Sequence, residues 1–145
     1  MTIMTSTGLR YGMVALGSLK SLLDGGFIKV YSGSVPASAD AAVTGTLLWT
    51  VKLNDTATGL TLESAIGSGS LTKPASDIWS GTVLASGLAT YYRHVSASDT
   101  GASSTSEPRI QGTVGTVGTD LLIGDANLVV TAVQAVDYYT ITLPT

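Results

Sequence analysis

The sequence predicts an all-β fold: an antiparallel β-sandwich or jelly-roll-like barrel of roughly seven to nine short strands, with one short helix at the N-terminus. Two observations carry this. Leu47, Trp49, Val51 and Leu53 alternate with Leu48, Thr50, Lys52 and Asn54, and Tyr139, Ile141 and Leu143 alternate with Thr140 and Thr142. A period of two is that of a strand with one buried face. Between such runs lie clusters of glycine, serine, asparagine and aspartate, with no helix-sized segment separating successive strands. A parallel nucleotide-binding sheet needs those helical crossovers, so that class is disfavoured.

In chain order, the first element is the helix. Leu9, Met13, Leu16, Leu19 and Leu23 recur at steps of three and four, which places them on one helical face. Ser6 or Thr7 can cap its start, and Gly25-Gly26 can stop it. Gly12 and Gly17 each weaken it by about 1 kcal/mol relative to alanine, so it needs a surface to lie on. Residues 1–26 are therefore expected to form an N-terminal arm and short helix, and residues 27–145 a β-sandwich domain. Phe27–Tyr31 opens the strands, Ser34–Gly45 is expected to be a long ordered loop, and Leu47–Leu53 follows. Leu60 and Leu62 flank Thr61 in a shorter strand, and Gly67–Ser76 is a polar break. Thr82–Ala85 and Leu88–Val95 are strands around Ser86-Gly87, with Ala89, Tyr91, Arg93 and Val95 on one face. Ser96–Ser106 reads as a mobile loop tip. Arg109–Thr116 and Asp120–Ile123 lead to a four-residue hairpin turn at Gly124–Asn127 with Leu128–Val133 returning. The glycines at 112, 115 and 118 form a local three-residue repeat that marks close packing or a bulged strand.

Composition narrows the function classes. Only 12% of the 145 residues are charged, against about 25% in a usual soluble domain, while serine and threonine together supply 38. A net charge of -3 argues against a basic surface that grips nucleic acid. With no cysteine, disulfides and thiolate metal sites are excluded, and a single histidine excludes a multi-histidine metal site. The apolar stretch Met13–Leu23 is too short and too polar to span a bilayer, and no basic leader precedes it, so cytoplasmic synthesis without membrane insertion is expected.

The residues assemble no recognisable catalytic set. His94 would need a nucleophile and an orienting acid, and the nearby serines carry little information in so serine-rich a chain. The two glutamates, Glu63 and Glu107, are far apart, and no phosphate loop is present. Asp120 and Asp125 could offer oxygen ligands to calcium, but a turn role for Asp125 is the stronger reading. No enzymatic activity, cofactor or resident metal is therefore expected. The seven basic residues are dispersed, which argues against an aromatic-lined nucleic-acid groove. Trp49 reads as core, and Trp79 as core or an interface anchor. Tyr91-Tyr92 and Tyr138-Tyr139 each put one ring on each face, so one of each pair should be exposed unless a partner covers it. Apolar side chains on both strand faces with few charges suit a subunit buried among neighbours. The candidate interface residues are Ile3, Met4, Leu9, Arg10, Tyr11, Trp79, Tyr92 and His94, with residues 1–11 expected to lie across a neighbour.

Five segments carry a likeness: Ser6–Arg10; Ile28–Ala42, reading IKVYSGSVPASADAA; Thr44–Leu48; Ala85–Arg93; and Arg109–Gly115. On these the chain resembles a family of small virion structural proteins of tailed bacteriophages and prophages. The resemblance runs from Ser6 to the C-terminus and is most specific from Ile28 to Leu48. It implies a virion component, made in the host cytoplasm and built into a particle, with no catalytic residues to carry over. A capsid decoration (cement) protein that contacts the major capsid protein and forms a homo-oligomer, dimer or trimer, is the first expectation. A tail, neck or tail-tip module that touches host glycan or protein is the alternative.

Overall fold

The computed structural model describes residues 3–65 and 69–142. Its elements are β1 (Met4–Thr5), α1 (Thr7–Ala15), α2 (Leu19–Leu23), β2 (Phe27–Tyr31), β3 (Leu47–Leu53), β4 (Glu63–Ala65), β5 (Ser70–Thr72), β6 (Trp79–Thr82), β7 (Gly87–Leu88), β8 (Tyr91–Val95), β9 (Arg109–Gly115), β10 (Leu121–Leu122), β11 (Asn127–Leu128), β12 (Val133–Val136) and β13 (Thr140–Thr142). The fold is mostly β with antiparallel sheets, as the alternation predicts. The main sheet runs β1-β9-β8-β2-β3-β6-β12, with β10 also paired to β9; β11-β7 and β13-β5-β4 form two smaller sheets. One pairing departs from the expected antiparallel arrangement: β10 lies parallel to β9.

Register explains the core. Ile28 pairs with Val51 and His94, and Val30 with Trp49 and Tyr92. Directly paired residues share a face, so these side chains line one side of the sheet. Trp49, Val51, Ile28, Val30, Tyr92 and Trp79 are fully buried there, joined by Leu9, Leu23, Leu60 and Ile110. Trp49 Nε1 donates to the Gly81 carbonyl at 3.0 Å, which satisfies its one polar atom. A Cβ at Gly81 would overlap the Thr50 carbonyl oxygen, so the β3–β6 contact requires glycine. Tyr139 brings the small C-terminal sheet onto this face, with its ring 5.7 Å from Trp79, 6.0 Å from Tyr92 and 5.7 Å from His94.

Several expectations are corrected. The N-terminal helix is two helices, because Ser18 Oγ accepts from the Ser21 N–H and starts a new cap after Gly17. Leu9, Leu19 and Leu23 reach the core, but Leu16, at the break, is 71% exposed. Ser6 is the cap of α1, accepting from the Leu9 N–H at 3.0 Å, and Gly25 ends α2 with φ +80°, a conformation in which a side chain is strained. Residues 3–11 are not a free arm: Met4 and Thr5 pair with Gln111 and Ile110, and Leu9 is fully buried in the chain's own core. Backbone pairing across 100 residues of sequence supplies what a neighbour would otherwise provide. Gly124–Asn127 is not a hairpin turn, since β10 pairs with β9 while β11 pairs with β7. The strands expected at Thr82–Ala85 and Leu88–Val95 are instead β6, which ends at Thr82, and two separate strands, β7 and β8. Leu60 makes an isolated bridge to Gly26, and the strand there is Glu63–Ala65. Met1, Thr2, Gly67, Ser68 and Leu143 lie outside the described residues.

Two stability outcomes are expected. Trp49→Ala should lower unfolding free energy by about 3–5 kcal/mol, read from denaturant titration. Deleting residues 1–11 should lower the thermal midpoint by about 3–7 °C, what loss of about 1–2 kcal/mol does to a domain of this size; an unchanged midpoint would mean that the pairing of β1 contributes nothing.

Candidate functional site: a loop clamped over the polar sheet face

The opposite face of β2, β8 and β9 carries Lys29, Tyr31, Tyr91, Arg93, Arg109 and Gln111. Such side chains belong at a surface, yet Arg93, Arg109 and Gln111 are 1% exposed or less. Two loops cover them, residues 32–46 between β2 and β3 and residues 96–108 between β8 and β9. Both arginines project from the same strand face because Arg93 pairs directly with Gln111, and Val95 with Arg109.

Arg109, Arg93, Gln111 and Tyr91 hold loop backbone from this face. Arg109 meets Asp99 with two parallel bonds, Nε to Oδ2 at 2.5 Å and Nη2 to Oδ1 at 2.8 Å. Its remaining donors reach the carbonyls of Ala39 (3.1 Å) and Ala102 (2.7 Å). Arg93 Nε donates to Gln111 Oε1 at 2.8 Å and Nη2 to the Ser38 carbonyl at 3.2 Å. Gln111 Nε2 in turn donates to the Pro36 carbonyl at 2.9 Å. Tyr91, stacked on Tyr31 at 5.0 Å, donates from its hydroxyl to the Thr44 carbonyl and accepts the Thr44 N–H. Asp40 closes the far end, accepting from the Thr7 N–H (2.7 Å) and hydroxyl (2.6 Å) at the start of α1. Loop 32–46 is thus fixed at Pro36, Ser38, Ala39, Asp40 and Thr44. Its outer side chains, among them Val35, Ala37, Ala42 and Thr46, stay exposed.

Protonation behaviour follows from burial. Desolvation, and then the neighbouring Arg109 charge, lower the pKa of Arg93. Burial pushes the Tyr31 hydroxyl up to about 12, with Tyr91 adding to the effect. The Thr7 hydroxyl bond holds Asp40 below the usual carboxylate range.

The expected interface set divides. Met4, Arg10 and Tyr11 are exposed, Tyr11 by 62%, and Ile3 is half-buried. Leu9, Trp79, Tyr92 and His94 are fully buried within the chain, so in this fold they are core residues and not surface anchors. Both Tyr91 and Tyr92 are buried, one under the clamped loop and one in the apolar core; of the second pair, Tyr138 is 69% exposed and Tyr139 buried. His94 sits 3.3 Å through Nδ1 from the Tyr139 hydroxyl, and desolvation pushes its pKa down to about 4. Asp125 has the expected turn role, accepting the Asn127 N–H at 2.9 Å, while Asp120 accepts the Thr113 N–H and hydroxyl. Ser96–Ser106 is not a mobile tip. Asp99 ties it to Arg109, and Val43 N–H to Gly101 O (2.9 Å) and Ser104 N–H to Asp40 O (2.8 Å) lace it to the other loop. Dispersed in sequence, the arginines of this site give one local signal: Arg93 interrupts an otherwise uncharged strand face.

Among the described residues, no helix is long and apolar enough to cross a membrane. No known protein family matches the chain, and neither does any curated protein or solved structure.

Asp99→Asn should destabilise the fold by about 3–5 kcal/mol in a denaturant titration, since it leaves the Arg109 charge buried without its counterion. His94 predicts a distinct pH response. A neutral buried imidazole is favoured in the fold, while the unfolded chain takes up a proton near pH 6.5, so stability falls as pH drops from about 6.5 toward 4 and is regained above that window. The loss should reach about 3 kcal/mol. His94→Gln should flatten the midpoint-against-pH curve between pH 6.5 and 4.5; an equally steep curve would assign the slope to other groups.

Proposed function

We propose that this chain is a virion structural subunit of a tailed bacteriophage, most specifically a decoration (cement) protein that binds the head lattice through the major capsid protein. The observation that carries the reading is the clamped loop. The stretch in which the phage-family likeness is most specific, Ile28 to Leu48, is most of β2, the loop and the first two residues of β3, and that loop is held rigidly while showing an uncharged outer rim. A surface ordered before contact loses little entropy on docking. The sparse charge and the exposed apolar side chains Tyr11 and Val14 on α1 and Leu16 just past it also suit a subunit packed among neighbours. In this reading the small β13-β5-β4 sheet, stacked through Tyr139 on the main sheet, is the second layer of a jelly-roll-like sandwich. The particle is where the protein acts, and protein surfaces, not nucleic acid or membrane, are its partners.

The test uses purified particles. A decoration protein is expected at hundreds of copies by quantitative mass spectrometry, and recombinant protein should bind heads stripped of it. Val35→Asp and Ala37→Asp, both on the exposed rim, should reduce that binding by tenfold or more, about 1.4 kcal/mol, with unchanged thermal midpoints. A handful of copies per particle would move the protein to the tail or neck; absence from particles would reject the reading altogether.

A further inference from the structure

Beneath loop 32–46 the buried charges do not balance. Arg93 and Arg109 are both buried there, and Asp99 is the carboxylate buried with them. Asp99 meets Arg109 through both of its oxygens and also accepts the Gly101 N–H. Arg93 is left with neutral partners: Gln111 Oε1 accepts from Nε, and the Ser38 carbonyl accepts from Nη2. Its third nitrogen, Nη1, is buried and has no hydrogen-bond partner among the described residues. Arg93 thus carries two penalties, a charge without a counterion and a donor without an acceptor.

Strand register sharpens the imbalance. Lys29 on β2 pairs directly with Arg93 on β8, so two cations stand side by side on one sheet face. Like charges directly opposite each other destabilise a strand pair. Lys29 is half-buried and donates once, to the Asp99 backbone carbonyl at 3.2 Å, which leaves two ammonium protons for another acceptor. On its other side Arg93 pairs with neutral Gln111. The nearby acids act elsewhere: Asp40 accepts from Thr7, and Glu107 from Ser96. Tyr31, two residues along β2 from Lys29, has its hydroxyl pushed up to about 12 by burial, so no phenolate answers the charge.

We propose that Arg93 Nη1 and the Lys29 ammonium together hold one small monovalent anion, of the chloride class, beneath loop 32–46. One such ion gives Nη1 an acceptor, lies between two like charges and matches the two buried guanidiniums with two negative charges. Burial selects the class. Arg93 and Gln111 are at 0% exposure, so an ion that reaches Nη1 sheds its water. A halide or nitrate does so at far lower cost than sulfate or phosphate, whose higher charge binds water more strongly. Arg93 and Gln111 hold the carbonyls of Ser38 and Pro36, so an ion that fixes Arg93 tightens the clamp on the loop. The site lies inside the molecule and stands whichever partner the loop rim meets.

Full-length protein is dialysed into gluconate, an anion too large for the site, and denaturant unfolding is followed as chloride replaces gluconate at constant ionic strength. In the saturating range each tenfold rise in chloride should lower the unfolding equilibrium constant about tenfold. Bromide and nitrate should act alike, and sulfate should not. Arg93→Gln should abolish the dependence and Lys29→Gln should weaken it, whereas Lys73→Gln, just past β5, should leave it as in wild type. Wild-type crystals grown in bromide should show an anomalous peak within hydrogen-bond reach of Arg93 Nη1, a readout that needs no variant to fold. Stability indifferent to chloride, a dependence kept in full by Arg93→Gln, or no bromide beside Nη1 would overturn the proposal. A bromide peak without any chloride dependence in solution would mark an adventitious ion only and would overturn it equally.

Discussion

The bidentate contact between Arg109 and Asp99 is the constraint on which the polar half of this molecule depends. It is 1% exposed on both sides, and a charge at that depth costs much less when it is paired and hydrogen-bonded. The guanidinium has donors left after meeting the carboxylate, and these capture the carbonyls of Ala39 and Ala102. One interaction thereby fixes two loops that are far apart in sequence. Asp99 also accepts the Gly101 N–H, so the carboxylate shapes its own loop while neutralising the arginine.

The sheet between these loops and the core works as a partition. One face carries Trp49, Val51, Ile28 and Tyr92, held by apolar burial and ring packing. The other carries Arg93, Gln111, Tyr91 and Arg109, held by directed hydrogen bonds. Apolar burial supplies most of the driving force and tolerates small shifts. Directed bonds add less net stability, but they specify one loop conformation. The loop rim can therefore be rigid although it is built from alanine, serine, threonine and valine, which make few specific contacts of their own.

That division bears on function. Two buried titratable groups, His94 and Tyr139, contact each other inside the core. Much of what the molecule presents outward is uncharged: the fixed loop rim, and the apolar side chains Tyr11 and Val14 on the outer side of α1. Surfaces of that kind suit shape recognition by protein neighbours better than recognition of charged ligands, in keeping with a subunit of an assembly.

Local patterning in the chain was enough to show that it is β-rich, where β2, β3 and β9 run, that Trp49 is core and that Ser6 or Thr7 begins a helix. Those features follow from periods of two and from capping chemistry, which are local. Only the tertiary structure decided strand order, the parallel β10–β9 pair, the tethering of residues 3–11 and the split of one apolar stripe into α1 and α2. Partners as distant as Met4 and Gln111 leave no periodic trace in the chain, and neither the parallel sense of the β10–β9 pair nor the Ser18 cap shows in a hydrophobic period. The clamp was hidden for the same reason: Asp99, Arg109 and the Ala39 carbonyl look like unrelated loop and strand residues until the fold brings them together. Trp79 was open between core and anchor, and the burial of Tyr92 and His94 was not legible, because a two-residue alternation says that one face is covered. It cannot say that the chain's own loops and C-terminal sheet cover both.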